Sequence, residues 1–195
     1  RARNQEAKSQ GRDILIHMPM QPVSAVKIED GGLHLGMSSA QVNDRVNTAK
    51  NIVNYAIGMN NHMGSAATAD PQLMTYLMTA LQEKHLFFLD SRTIGKSVAG
   101  KIAKEQGVRS LDRHIFLDDS NELADVQHQF QAAIQYARKH GTAIAIGHPR
   151  PNTIAVLQAG INNLPEDIQL VGMGNLWHNE KVTSPKPFIL LFFPN

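Results

Sequence analysis

Five short strings end apolar runs of this 195-residue chain with groups able to do acid–base or metal chemistry. They are His17-Met18-Pro19, Asn60-Asn61-His62-Met63-Gly64-Ser65, Asp90-Ser91-Arg92-Thr93, Asp118-Asp119 and Gly147-His148-Pro149. Two or three neutral imidazoles with a carboxylate make a borderline-soft N/O donor set, suited to zinc or a similar divalent ion. Such an ion polarises a carbonyl and acidifies water. A further histidine can protonate a leaving group, because its pKa lies near working pH. An arginine after an aspartate can hold that carboxylate or stabilise developing negative charge. Metal-assisted hydrolysis is the chemistry these types suit best. Each residue also has a plainer reading. A lone histidine can simply be a hydrogen-bonder, Asp90 can accept backbone hydrogen bonds in its own turn, Asp119-Ser120 can cap a helix, and Arg92 can form a solvated ion pair. His34, His85, His114, His128, His140 and His178 read as surface or packing residues, and Met59, Met63, Met74 and Met78 as core filling.

For these strings to meet, the elements between them must bring their ends together. Candidate strands are Ile14–Met18, Ala56–Asn60, Leu86–Leu89, His114–Leu117, Thr142–Ile146 and Ile168–Gly172. Between them run stretches with apolar residues at helical spacing. In Ser38–Asn54 these are Val42, Val46, Ala49 and Val53, with Ser38 and Gln41 at capping-box spacing. Asp70–Lys84 opens on a cap and Pro71, then carries Leu73, Leu77 and Leu81. Lys96–Gln106 stops at Gly107 and Asn121–His140 at Gly141, and a weaker helix covers Thr153–Ala159. Strands alternating with helices predict a parallel α/β sheet, a barrel whose working residues cluster at the strands' C-terminal ends. Gln21–Met37 reads as a long loop, and the tail after Asn175 departs from the pattern. Arg1–Gln10 reads as the end of a helix stopped by Gly11; such a helix normally follows a strand, so an upstream strand is expected and the domain, 1–195, is expected to be N-terminally incomplete.

Composition narrows the partners. Formal charge is +2 with Lys and Arg scattered, and aromatics are 6%, which argues against a nucleic-acid partner. There is no cysteine, so disulfides and thiolate sites are excluded, while the compartment is left open. No apolar run approaches the roughly 20 residues of a membrane span.

The strings His17-Met18-Pro19-Met20-Gln21-Pro22, Asn60-Asn61-His62-Met63-Gly64-Ser65, Phe88-Leu89-Asp90-Ser91-Arg92-Thr93, Phe116-Leu117-Asp118 and Ile146-Gly147-His148-Pro149 resemble the divergent polysaccharide deacetylase family, in order and approximate spacing, over residues 9 to 172. The resemblance implies a distorted seven-stranded parallel (β/α) barrel in a periplasmic or exported protein. It also implies removal of acetyl groups from an acetylated glycan, using a divalent metal, zinc being expected. By analogy His62 is a metal ligand and His148 the acid. His17 is the candidate second imidazole, Asp90 joins His148 as a catalytic group, and Asn60, Asn61, Arg92 and Asp118 are expected to bind substrate. Two departures stand out. The wider family carries its metal histidines about one helical turn apart, whereas the residue four after His62 is Ala66. Its paired aspartates lie on a first strand, which would fall before Arg1. Ile28-Glu29-Asp30-Gly31 looks similar but follows the His-Met-Pro strand within a loop, and is not taken as a replacement. The rival expectation is a non-catalytic envelope barrel that binds glycan or protein at its mouth.

Overall fold

A computed structural model describes residues 2–178 and 186–192 of the chain. It divides into two compact units, Arg1–Asp112 and Arg113–Asn195.

The first unit alternates helix and strand: α1 (Ala2–Ser9), β1 (Leu15–Met20), α2 (Ser39–Ile52), β2 (Gly58–Met63), α3 (Pro71–Glu83), β3 (Phe87–Asp90), α4 (Ala99–Glu105) and β4 (Ser110–Asp112). The four strands form one parallel sheet in the order β1-β2-β3-β4. The predicted starts of α2 and α3 hold, whereas α4, expected over Lys96–Gln106, begins at Ala99. Ser38 accepts from Gln41 N–H while the Gln41 side chain accepts from Ser38 N–H, a reciprocal cap worth about 1 kcal/mol. Asp70 caps α3, with Pro71 at its first position. Alternation along β1 sends Ile16, Met18 and Met20 inward. There they join Met59 and Phe88, with Val42, Val46, Leu73, Leu77 and Leu81 from the helices, in one apolar cluster. Met74 and Met78 are fully buried in the same cluster, so with Met59 three of the four expected methionines are core, while Met63 is half-buried.

The second unit contains β5 (Ile115–Phe116), α5 (Leu123–His140), β6 (Ala143–Gly147), α6 (Pro151–Asn162), β7 (Ile168–Leu170), α7 (Met173–Trp177) and β8 (Lys186–Phe192). Its sheet is parallel in the order β5-β6-β8-β7. β6 is buried along its whole length, as its apolar sequence implies. Gly141 ends α5 in the left-handed conformation, φ +87°. Gly160 of α6 lies so close to Phe130 of α5 that an added Cβ would sit 2.4 Å from its ring.

The parallel α/β class is as expected, with several differences of detail. Strands β1 and β2 run on to Met20 and Met63, beyond the expected ends at Met18 and Asn60. Asn61 and His62 are therefore strand residues rather than the start of a loop. Two strands were missed. β4 is three half-buried residues with no apolar alternation. β8 lies in the tail left unassigned, between β6 and β7, and residues 179–185 and 193–195 of that tail lie outside the described residues. α6 is longer than Thr153–Ala159, because Pro151 starts it. Among the described residues no helix is long and apolar enough to cross a membrane.

Candidate functional site

Register in the first sheet sets which side chains meet. His17 pairs with Asn60 and Pro19 with His62. Because side chains alternate along a strand, His17, Asn60 and His62 share the face opposite the methionine core. His17 Nδ1 lies 3.0 Å from Asn60 Oδ1, and His17 Nε2 lies 3.1 Å from His62 Nδ1.

Counting donors from the buried end is consistent with one tautomer for each ring. The Ser91 hydroxyl donates to Asn61 O at 2.8 Å, so its oxygen receives the Asn60 amide N–H at 2.9 Å. Asn60 Oδ1 then faces His17 as an acceptor, and His17 carries its proton on Nδ1. Neutral His17 presents a lone pair at Nε2, which takes the proton of His62 Nδ1. The chain of bonds ends at His62 Nε2, a lone-pair nitrogen on a side chain 27% exposed. Glu29 Oε1 stands 3.5 Å from that nitrogen.

Asn60 and Asn61, expected to touch substrate, are 0% and 1% exposed, and their amides are spent internally. Asn61 accepts from Ser91 N–H and donates to Met63 O. Their place is behind the histidines, holding tautomer and turn.

Asp90, expected as a catalytic group, takes the opposite face. Asn60 pairs with Leu89, so Asp90 follows the side of Asn61 and Phe88, toward the helices. It is fully buried; Oδ1 accepts from Arg92 N–H at 2.8 Å and Oδ2 from the Ser97 hydroxyl at 2.6 Å. Those bonds belong to a turn anchor at the entry to α4. Arg92 adopts φ +52°, unusual for a residue with a Cβ, and its Nε lies 3.8 Å from Asp112 Oδ2. Burial, then the neighbouring Asp90 charge, pushes the Asp112 carboxyl above the usual carboxylate range, with Arg92 opposing.

The second unit supplies another oriented imidazole. Phe116 pairs with Ile146, so the residues two further on, Asp118 and His148, fall side by side. Asp118 is fully buried. Its Oδ1 lies 3.0 Å from His148 Nδ1, and its Oδ2 accepts from His148 N–H at 2.7 Å and from the Thr153 hydroxyl at 2.8 Å. Arg150 Nη1 holds the Asp118 carbonyl at 2.7 Å. Gly147 allows the approach, since a Cβ there would stand 3.1–3.3 Å from Thr153 and Leu117. The carboxylate keeps the His148 proton on Nδ1 and leaves Nε2 as the lone-pair nitrogen. Asp118, expected to bind substrate, is thus the orienting partner of His148. The His148 ring lies 5.6 Å from that of Phe116, which also lines an open cavity of about 440 Å3 with Arg113, Asp119, Asp125, His128 and Gln129.

Among the described residues no group of three His, Cys, Asp or Glu side chains is placed to hold one metal ion. What the chain does offer is an imidazole braced at Nδ1 with a carboxylate beside Nε2. A metal-ligating histidine ordinarily donates its outer N–H to a fixed acceptor in this way. His62 fits a divalent ion on that ground.

Taken together, the fold and the two braced histidines define a parallel α/β protein with oriented imidazoles near the C-terminal ends of its strands. The chain belongs to the divergent polysaccharide deacetylase family, whose model matches residues 1–177. It is 93% identical over 192 residues to an uncharacterized protein of Haemophilus influenzae, covering 98% of this chain and 69% of that one. It is 43% identical over 182 residues to the uncharacterized protein YibQ of Escherichia coli, covering 93% of this chain and 57% of that protein. The chain thus spans only part of both relatives. The crystal structure of uncharacterized protein ATU2773 from Agrobacterium tumefaciens shares the fold, with a TM-score of 0.76 at 22% identity over 80% of this chain and 64% of that one.

Proposed function

We propose that this chain carries the metal-binding and proton-transfer groups of a zinc-dependent carbohydrate deacetylase acting on an N-acetylated sugar polymer or oligomer. Family membership supports deacetylation and a carbohydrate substrate. The observation that carries the reading is that His62 and His148 each have Nδ1 committed to an internal acceptor, which leaves Nε2 for chemistry.

His62 would hold the metal through Nε2, with His17 behind it fixing the tautomer rather than serving as the second imidazole ligand. The bound ion would supply Lewis acidity and a lowered water pKa. Further ligands would come from the part of the longer protein outside this chain. His148, once protonated at Nε2, gives that proton to the sugar amine as the acetyl C–N bond breaks. The buried Asp118 carboxylate stabilises the imidazolium meanwhile. Of the residues expected to bind substrate, Arg92 keeps enough exposure, 36% of its side chain, to touch a sugar. The distorted seven-stranded barrel and the periplasmic or exported location are part of the same proposal and rest on the family resemblance.

The experiment is acetate release from acetylated chito-oligosaccharides by the full-length protein, before and after chelation. Release that stops on chelation and returns with zinc is expected; no release from any acetylated glycan would overturn the reading. A second reading, a non-catalytic barrel that binds glycan, draws on Ala66 standing where the wider family has a histidine. Glycan binding without acetate release would favour it.

A further inference from the structure

We propose that Glu29, on the loop after β1, is a second protein donor to the divalent cation held by His62. This deepens the metal reading above and rests on it.

The loop is not loose where Glu29 sits. Gln21 N–H donates to Leu33 O at 2.9 Å, Leu33 N–H to Pro19 O at 2.8 Å, and Leu35 N–H to Gln21 Oε1 at 2.9 Å. Ile28 and Leu33 are buried at 5% and 0% exposure. Gly32 can only be glycine, because a Cβ there would stand 2.4 Å from Ile28 Cδ1 and 2.9 Å from Pro19 O. Gly31, at φ +91°, turns the chain between these anchors. The carboxylate next to Ile28 is thereby carried to the His62 ring.

With a neutral ring, the contact holds no proton between its two partners. The bond network leaves His62 Nε2 a lone pair when the ring is neutral, and an ionised carboxylate offers only acceptors. Two acceptors 3.5 Å apart call for a positive charge between them. That spacing is long for a good N–H···O bond. It is close to the roughly 3.3 Å edge that two donors span on a tetrahedral ion with metal–ligand distances of about 2.0–2.2 Å. An imidazole nitrogen with one carboxylate suits zinc or a similar borderline divalent ion. The same carboxylate would offset part of the ion's charge. By sequence, Ile28-Glu29-Asp30-Gly31 is set aside as a replacement for the family's paired aspartates because it lies in a loop; the fold brings Glu29 of that loop to His62.

The test is calorimetric titration with Zn2+ at pH 8 on the full-length protein and on its Glu29→Ala, Glu29→Gln, Asp30→Ala and His62→Ala variants. Circular dichroism checks that each is folded. The proposal expects one ion bound by the parent full-length protein and no binding by His62→Ala. It expects affinity at least about tenfold weaker for Glu29→Ala, the scale on which lost coordinating or outer partners are felt. Glu29→Gln should fall in between, and Asp30→Ala should match the parent. Parent-like affinity in Glu29→Ala, or an equal loss in Asp30→Ala, would overturn the role of Glu29 and leave the metal at His62 standing. No zinc binding by the parent full-length protein, or binding that survives His62→Ala, would overturn both.

Discussion

Asp118→Ala isolates the second oriented histidine and has a magnitude that can be worked out. The carboxylate takes three hydrogen bonds, of 2.7, 2.8 and 3.0 Å, from two groups of His148 and one of Thr153. A hydrogen bond to a charged group contributes about 1.5–3 kcal/mol net, so a simple sum would reach roughly 4.5–9 kcal/mol. The three bonds share one acceptor, and truncation also removes the cost of burying that charge. The loss should therefore resemble that of breaking a buried pair, about 3–5 kcal/mol. In a unit of this size that is a fall in Tm of roughly 12 °C or more. The chain has a single tryptophan, Trp177, buried at 1% exposure in the same unit. Its fluorescence during urea unfolding reads this unit directly. Asp119→Ala, the exposed neighbour, should stay within about 0.5 kcal/mol of the parent. A loss below about 1 kcal/mol in Asp118→Ala would refute the idea that this carboxylate is the anchor of the His148 turn.

Two further outcomes follow from packing and from charge. Gly160→Ala should destabilise by about 1–3 kcal/mol although alanine is the better helix former, because its Cβ must displace the Phe130 ring; urea unfolding read through Trp177 checks the sign. His114 Nδ1 accepts from Ile144 N–H at 2.9 Å, and burial, with His140 and Arg113 nearby, holds its pKa below the usual histidine range. A histidine depressed in the fold contributes stability that is complete above its unfolded pKa of about 6.5 and is lost as pH falls through the folded value. The urea midpoint should therefore be lower at pH 5 than at pH 7.5, and His114→Gln should flatten that slope. An unchanged slope in the variant would refute the assignment.

How much of this was legible in the sequence varies by element. Helix starts and stops depend on residues a few positions apart, so Ser38 with Gln41, Asp70 with Pro71, and Gly141 could be read directly. Strand ends could not. Asn61, just past the expected strand end, looks like a loop residue because it is polar, yet it is buried with its amide spent, and polarity marks a loop only where water is the partner. His62, His17 and His148 were legible as candidates by type and position. Their partners were not, because these follow from register between strands distant in sequence. Asp118 meets His148 across 30 residues, and Glu29 meets His62 across a folded loop. The same pleat separates Asp90 from the histidines, although both end neighbouring apolar runs.

The most direct test of the account is acetate release from acetylated chito-oligosaccharides by the zinc-loaded full-length protein, compared with its His62→Ala and His148→Ala variants. The account predicts release by the parent protein, its loss in His62→Ala, and a rate lower by about 10²–10⁴-fold in His148→Ala, as befits a lost general acid. Release at the parent rate in both variants would contradict it.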